Sequence, residues 1–537
     1  MRIELLDCTL RDGAYITNGD FGDSVIKGII KKLQEANVEI IECGWLKNSE
    51  YKEGSSYFHI PNDLKKYIGD NANDKTYTAM IDWDRYDLDN LPVYNGESLN
   101  AIRVVFPHGK HEQGIAVAEK ISKKGYKVYL QAANTLAYSN EDLFELAKCV
   151  NKLKPVGLSV VDTFGAMFEE DIDRIVNILD AYLDKEIMLG FHTHNNQQLA
   201  FSNICHFIQI MKDRRDIIVD SSLCGMGRGA GNATTELVCN YLNRKMHKNY
   251  DMDSILDAID TYMPYFQEKY TWGYSTPYFL AGMYQCHVNN IAYLQKNHRT
   301  NSKDMRNILD SMSVEDRRKY DYDLLESKYL ENQNRKVDDD ASILFLKEYF
   351  LDSKVLLIAP GKTTVEEKKK IEEFINKNNP KVVFVNALNT NYEGDFLFLI
   401  NSTRYDYAQT AYPDSFAGIK KILLSNIKTT GLKDEFIINF NRVIKRGWVY
   451  FDNAVLCCLR LLEKLDIKNV YLAGFDGFKQ RYNESYADQA LPTLNPDGNW
   501  DFLNSEIQDM FNDFLITNNG KMKISFITYS MFNKNNG

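Results

Sequence analysis

Along the first 240 residues, short runs rich in β-branched and aromatic residues alternate with longer stretches whose apolar positions recur every three and four residues. The short runs lie at 3–9, 38–44, 76–82, 101–106, 127–134, 157–163, 187–194 and 217–224. Segments of helical period lie between them, at 24–37, 113–124, 141–153 and 171–183. Strands that alternate with helices predict a parallel sheet. Eight evenly spaced units predict that it closes as a (β/α)8 TIM barrel rather than staying open and doubly wound.

Past the barrel the pattern becomes helical, at 252–261, 278–295, 305–311 and 314–329, followed by a charged stretch at 331–340 that reads as a linker or a solvated helix end. A second α/β unit then begins. A strand at 354–362 ends in a turn, a helix follows at 365–376 and a strand at 381–385, with further strands at 395–400, 421–425 and 469–474 and a helix at 452–465. This βαβ opening predicts a Rossmann-like domain. The expected organisation is therefore a barrel at 1–245, a helical extension covering it at 246–345, and a Rossmann-like α/β domain at 350–537. Gly361-Lys362-Thr363-Thr364 looks like the end of a Walker A loop, but its required first glycine is Leu356, which excludes an ATPase reading. What is left is a loop at a helix N-terminus that could accept a phosphate.

The 44% hydrophobic and 26% charged composition is that of an ordinary globular chain, and the formal charge of −10 argues against nucleic acid or an anionic membrane as the main partner. Nine scattered cysteines without C-x-x-C spacing point to a reducing compartment and no cysteine-ligated zinc. No apolar run reaches the ~18 residues of a spanning helix. The first residues read as a strand rather than a signal segment, so the expected location is the cytoplasm, and a homo-oligomer is expected.

Polar residues collect where barrel strands end, the catalytic rim of such folds. They are Arg11 and Asp12, Glu42, Asp82, His108, Gln131 and Asn134, Asp162 and Thr163, and His192, His194 and Asn195. Asp12 with His192 and His194 offers one carboxylate and two imidazoles, a donor set for a divalent metal; residues i and i+2 of a strand share a face, so both histidines can reach one ion. Arg11 adds a fixed charge where an oxyanion could form. The glycine-rich loop Gly225–Asn232, with Gly227 within it, would wall the same rim.

Three segments carry a family resemblance: Asp7-Cys8-Thr9-Leu10-Arg11-Asp12-Gly13, His192-Thr193-His194-Asn195-Asn196-Gln197-Gln198-Leu199-Ala200, and Gly225-Met226-Gly227-Arg228-Gly229-Ala230-Gly231-Asn232. Over residues 1–285 the chain resembles the DRE-TIM metallolyase superfamily, which includes 4-hydroxy-2-oxovalerate aldolase, hydroxymethylglutaryl-CoA lyase, isopropylmalate synthase and homocitrate synthase. The resemblance implies Mn²⁺ or Mg²⁺ on Asp12, His192 and His194, with Asn232 near or on the metal, and Arg11 stabilising an enolate.

Aldolases of that family carry a histidine two positions after the motif glycine, and its condensing enzymes a glutamate directly after it; here those positions hold Tyr15 and Ala14. The general base is thus open between Tyr15, with a pKa lowered by Arg11 and the metal, His108 and Glu42. Ala281-Gly282-Met283-Tyr284 resembles a post-barrel helix of the aldolases, which makes Tyr284 a candidate acid. Residues 452–477 resemble a nucleotide-sugar-type domain of bacterial sialyltransferase-like proteins, which would place Asp476 against a sugar or nucleotide. Glu42, Asn134, Thr163 and Gly227 are the expected substrate contacts.

The leading expectation is a metal-dependent aldolase or lyase acting through a pyruvate-type enolate on a 2-oxo acid and an aldehyde, the acceptor being sugar-derived or nucleotide-linked. Its alternatives are a Claisen-type acyl-CoA synthase, and a glycosyl- or nucleotidyl-transferring C-terminal domain with the barrel as scaffold.

Overall fold

The computed structural model describes residues 2–533 apart from 69–74, 299, 430, 432–433, 480–483 and 494–498. The chain divides into two compact units, one of Met1–Ala292 with Val314–Tyr320 and one of Tyr293–Ser313 with Asp321–Gly537. The stretch 246–345 is therefore shared between the two.

In the first unit the strands are β1 (Ile3–Asp7), β2 (Ile40–Leu46), a two-residue β3 (Tyr57–Phe58), β4 (Thr76–Asp82), β5 (Ala101–Phe106), β6 (Lys127–Ala132), β7 (Gly157–Asp162), β8 (Met188–Thr193) and β9 (Ile217–Ser221). All pairings are parallel, in the order β1-β9-β8-β7-β6-β5-β4-β2-β3, and a β1–β2 pairing closes the barrel as eight strands, with β3 outside on β2. Helices follow the strands closely as the sequence pattern predicts, for example Asp23–Glu35, His111–Lys123, Asn140–Leu153 and Glu169–Tyr182.

Strand alternation sorts the core into layers. Outward residues such as Ile41, Ile102, Val104, Leu158, Val160, Leu189 and Phe191 pack against the helices in one large apolar cluster. Inward residues at the strand starts, Leu6, Ile40, Ala101, Tyr129, Met188 and Ile218, form a separate apolar plug inside the barrel. Two residues further along, the inward positions are Glu42, Arg103, Gln131, Ser159, Gly190 and Asp220, so a polar storey sits on the apolar plug. Gly190 is needed there, because a Cβ would lie 2.2 Å from Ser159 Oγ, the acceptor of Gln131 Nε2.

The expected helix at 278–295 is two helices, Thr276–Met283 and Val288–Asn297. Gln285 takes a left-handed φ of 49° at the break, and Cys286 N donates to Ala281 O, which ends the first helix. The expected helix at 314–329 is likewise Val314–Arg318 and Tyr322–Gln333, with Asp321 capping the second.

The second unit holds β10 (Lys354–Ile358), β11 (Lys381–Val385), β12 (Phe396–Leu399), β13 (Lys420–Leu424), β14 (Glu435–Ile438), β15 (Asn469–Ala473) and β16 (Lys523–Phe526). They form one parallel sheet ordered β14-β13-β12-β11-β10-β15-β16, so the winding reverses between β10 and β15. The edge strands β14 and β16, both mostly half-exposed, and the helix Trp500–Asn518 were not foreseen.

Candidate active site

Asp12 ends a single helical turn, Thr9–Asp12, directly after β1, and its side chain is fully buried. Its Oδ1 accepts from Arg11 Nη1 at 2.8 Å and its Oδ2 from Asn232 Nδ2 at 2.5 Å. His194 Nε2 lies 3.6 Å from the same Oδ2. One ligand atom from each of Asp12, His192 and His194 falls within 4.8 Å of the others, the spacing of a shared ion. The two imidazole rings stand at 87° with centroids 5.1 Å apart.

Each imidazole is oriented through its other nitrogen. His192 Nδ1 pairs with Asp220 Oδ2 at 3.0 Å, and His194 Nδ1 with the Asp162 carbonyl at 3.0 Å, so Nδ1–H donates in both and Nε2 keeps a lone pair. His194 Nε2 and Asn232 Oδ1 are buried atoms without a hydrogen-bond partner. Desolvation of that kind is costly unless something binds there. These residues therefore fit a divalent cation with nitrogen and oxygen donors: Asp12, His192 and His194 could hold it, with Asn232 adjacent.

The charges beneath support the same reading. Arg11 Nε donates to Glu42 Oε2 at 2.7 Å, Arg103 Nη1 donates to the same oxygen at 2.8 Å, and Arg103 Nη2 reaches Asp220 Oδ2 at 2.5 Å. A continuous chain thus runs Asp12–Arg11–Glu42–Arg103–Asp220–His192, all of it buried. Three carboxylates face two guanidiniums, which leaves one uncompensated negative charge beside two imidazole lone pairs. Burial alone would raise the Asp12 carboxyl, yet Arg11, both imidazoles and Asn232 together hold it well below the usual range. Burial lowers His194 to about 4, only partly opposed by Asp12, so both states of the donor set favour metal binding near neutral pH.

The glycine-rich loop is built for close approach. A Cβ on Gly227 would sit 2.5 Å from Asn232 Nδ2 and 2.8 Å from Asp12 Oδ2, and one on Gly231, at φ 77°, would collide with Gly225 O. Asn195 N donates to Gly231 O at 2.7 Å, tying the loop to the end of β8.

Other expected residues are placed as follows. Glu42 is spent on two arginines through Oε2, which makes it an anchor for Arg11 rather than a free base, although its Oε1 is unpartnered. Thr163 Oγ1 accepts from Asn134 N at 2.7 Å, and Asn134 Oδ1 is buried without a partner. His108 pairs with Asp142 Oδ2 at 3.2 Å and stacks edge-on against Tyr138, in the cap of the helix Asn140–Leu153, with no contact to Asp12, His192 or His194 among the described residues. Tyr284 follows the helix Thr276–Met283, with the Arg317 guanidinium 5.4 Å from its ring centroid. The expected lowering of Tyr15 is reversed. Desolvation of its hydroxyl raises its pKa against the pull of Arg228 and Arg11, though with 41% of the residue exposed the rise is smaller than full burial would give. Arg228 lies 4.2 Å over the Tyr15 ring.

Four residues escaped the sequence reading: Arg103, Asp220, Arg228 and His287. The signal for the first two was present, a charged residue on the inward phase of an apolar strand. His287 gave no signal, because it lies in the break between two helices. Burial, with Arg228 and His194 adding to it, lowers His287 to about 3. Its Nδ1 accepts from Asn289 N at 3.1 Å, so the neutral ring carries its proton on Nε2.

Residues 108–261 match the HMGL-like family model. The chain is 27% identical over 263 residues to an oxaloacetate decarboxylase of Mycobacterium tuberculosis, an alignment that spans 47% of this chain and 74% of the relative. It is also 27% identical over 272 residues to a 4-hydroxy-2-oxovalerate aldolase of Roseiflexus, spanning 48% and 75%. Among solved structures, the N-terminal domain of a candidate aldolase from Bacteroides vulgatus aligns at a TM-score of 0.47 and 27% identity, over 54% of this chain and 95% of that one. The first unit is thus similar to the HMGL-like family and to relatives named as a decarboxylase and an aldolase, which supports an enzyme of the carbon–carbon lyase kind. Among the described residues no helix is long and apolar enough to cross a membrane.

Proposed function

We propose that the barrel is a divalent-metal-dependent aldolase or lyase that makes or breaks a carbon–carbon bond next to a 2-oxo acid, through a pyruvate-type enolate. The observation that carries this reading is the convergence of Asp12, His192 and His194 on one point, with an unpartnered His194 Nε2, above a storey holding one excess negative charge. The names of the two relatives point to a common intermediate. Aldol cleavage of 4-hydroxy-2-oxovalerate and decarboxylation of oxaloacetate both break the C3–C4 bond and both leave the enolate of pyruvate.

Bound Mn²⁺ or Mg²⁺ would act as a Lewis acid toward the 2-oxo acid. The protein's own groups supply the rest. Arg11 is fixed by Asp12 and Glu42 through Nη1 and Nε, and its Nη2 makes no hydrogen bond among the described residues, so this edge is the donor for the enolate oxygen. Because the guanidinium is already oriented, it reorganises little as charge develops. His287, neutral and protonated on Nε2, donates a hydrogen bond to the oxygen of the aldehyde partner, which becomes an alkoxide on addition. Tyr15, with its raised pKa and its ring under Arg228, positions that arginine and the substrate rather than acting as base. Glu42 and Arg103 hold Arg11 and His192 in register. The acceptor is an aldehyde, with a sugar-derived one as the preferred class.

Incubating metal-loaded protein with pyruvate in D₂O tests the enolate. Exchange of the methyl protons is expected with Mn²⁺ or Mg²⁺ and its loss in His192→Ala; no exchange under either metal overturns the reading. His287→Asn should lower kcat about a hundredfold for the aldol reaction while leaving pyruvate exchange intact.

A further inference from the structure

We propose that the second unit carries its own ligand site, in a cleft at the C-terminal edge of its sheet, for a phosphorylated and hydroxylated small molecule anchored on Arg404.

The cleft is open on one side, and the roughly 930 Å³ of space in it includes solvent at its mouth. It is lined by the residues that follow β10, β11, β12 and β15, so it lies across the point where the winding of the sheet reverses. Neighbouring connections leave in opposite directions there, which opens a crevice by topology alone.

Arg404 lies in the first turn of the helix Ser402–Ala411 and is 6% exposed. Of the five N–H donors of its guanidinium, one makes a hydrogen bond among the described residues, from Nη1 to Asn386 O at 3.4 Å, and the centroid of the Tyr486 ring lies 5.1 Å away. No carboxylate comes within the 4.0 Å of an ion pair among the described residues. Asp488 feels its charge, but Asp488 Oδ2 accepts from Tyr407 and Tyr412 at 2.7 and 2.8 Å and its Oδ1 from Ala490 N. A buried guanidinium with most of its donors unused, facing a cleft, matches an anion that can take two of them at once.

The loop at Gly361, where the sequence suggested a phosphate, is already filled by the protein. Asp476 Oδ2 accepts from Thr363 N at 2.9 Å and Oδ1 from Thr363 Oγ1 at 2.5 Å, and Gly361 is close enough that a Cβ would lie 2.5 Å from the Asp476 carboxylate. An incoming anion is thus excluded from that end and directed to Arg404. Asp452 and Asp476 also line the cleft, and Tyr450, Phe475, Phe478 and Tyr486 supply apolar and aromatic wall. A phosphate at Arg404, hydroxyls toward the carboxylates and an apolar or planar body against the aromatic wall use all three features, which a sugar phosphate does in part and a nucleoside monophosphate in full.

Calorimetry on the full chain in EDTA, with inorganic phosphate, ribose 5-phosphate, and AMP, GMP, CMP and UMP as probes, tests this. At least one phosphorylated probe should bind more tightly than inorganic phosphate. Its affinity should fall tenfold or more in Arg404→Gln, fall less in Arg404→Lys, and stay unchanged in His192→Ala, which disables the barrel site. A cooperative thermal transition in each variant checks that it is folded, and the lysine variant keeps the test valid if the glutamine variant is not. Preference for a nucleotide over ribose 5-phosphate assigns the aromatic wall to a base; equal binding assigns the site to sugar phosphates. Failure of every probe to bind, binding indifferent to Arg404→Gln and Arg404→Lys, or loss of binding in His192→Ala overturns the proposal. None of these outcomes depends on pyruvate exchange in the barrel.

Discussion

Asp220 accepts the Nδ1–H of His192 at 3.0 Å and so decides which imidazole nitrogen faces the site. The same carboxylate is pinned by Arg103, and the two partners, against the effect of burial, keep it ionised below the usual range. Asp220→Asn should retain the fold and weaken metal affinity about 10- to 100-fold, because the amide neither fixes the tautomer nor strengthens the donor. A chelator-competition titration measures this, and an unchanged affinity would show that Asp220 serves the barrel alone.

Gly227→Ala brings a methyl group to 2.5 Å from Asn232 Nδ2 and 2.8 Å from Asp12 Oδ2. Something must shift, and the atoms nearest are those of the site. The expected result is a fall in kcat/KM of about tenfold or more with Tm lowered by only a few degrees. Parallel losses in Tm and activity would instead mark a general packing defect.

Tyr15→Phe keeps the ring under Arg228 and removes only the hydroxyl, whose pKa desolvation raises rather than lowers. Its kcat should stay within about threefold of the parent, whereas Tyr15→Ala, which frees Arg228, should lose about tenfold. A collapse of kcat in the phenylalanine variant would return Tyr15 to the role of base.

His287 is held near 3 against an ordinary value near 6.5, so between those values the unfolded chain binds more protons than the folded one. Stability from this group is present above pH 6.5 and is lost as pH falls toward 3. Asp7 and Asp162, each raised to about 6 by burial, run in the opposite direction between about pH 4 and 6, so the parent profile mixes both trends. The difference between parent and His287→Asn, both in EDTA, isolates the histidine. Going from pH 7 to 5, the variant should lose up to about 2 kcal/mol less than the parent in denaturant titrations.

The barrel was legible because its signal is periodic: each strand at 101–106 or 157–163 is apolar on its outward phase, and eight such runs leave one closed solution. Asp12, His192 and His194 were legible as residue types at strand ends. Arg103 and Asp220 were passed over because a charge inside an apolar strand only acquires meaning once a partner across the barrel is known. The edge strands β14 and β16 are only four residues long and mostly half-exposed, so Phe436 and Ile438, or Ile524 and Phe526, are too few to stand out as a periodic run. The break at Gln285 leaves no mark because glutamine seldom takes a left-handed φ; tertiary packing, not local propensity, sets it there.

Arg103 acts as a spoke. Its guanidinium reaches from β5 to Glu42 on β2 and to Asp220 on β9, strands that are not neighbours around the wall. The barrel is thereby braced across its bore as well as around its hoop, and both ends of the brace lead outward to a side chain of the candidate metal site, through Arg11 to Asp12 and directly to His192. A change in one strand is felt at the rim on two sides, so the distance between carboxylate and imidazole is a property of the whole cylinder rather than of either loop.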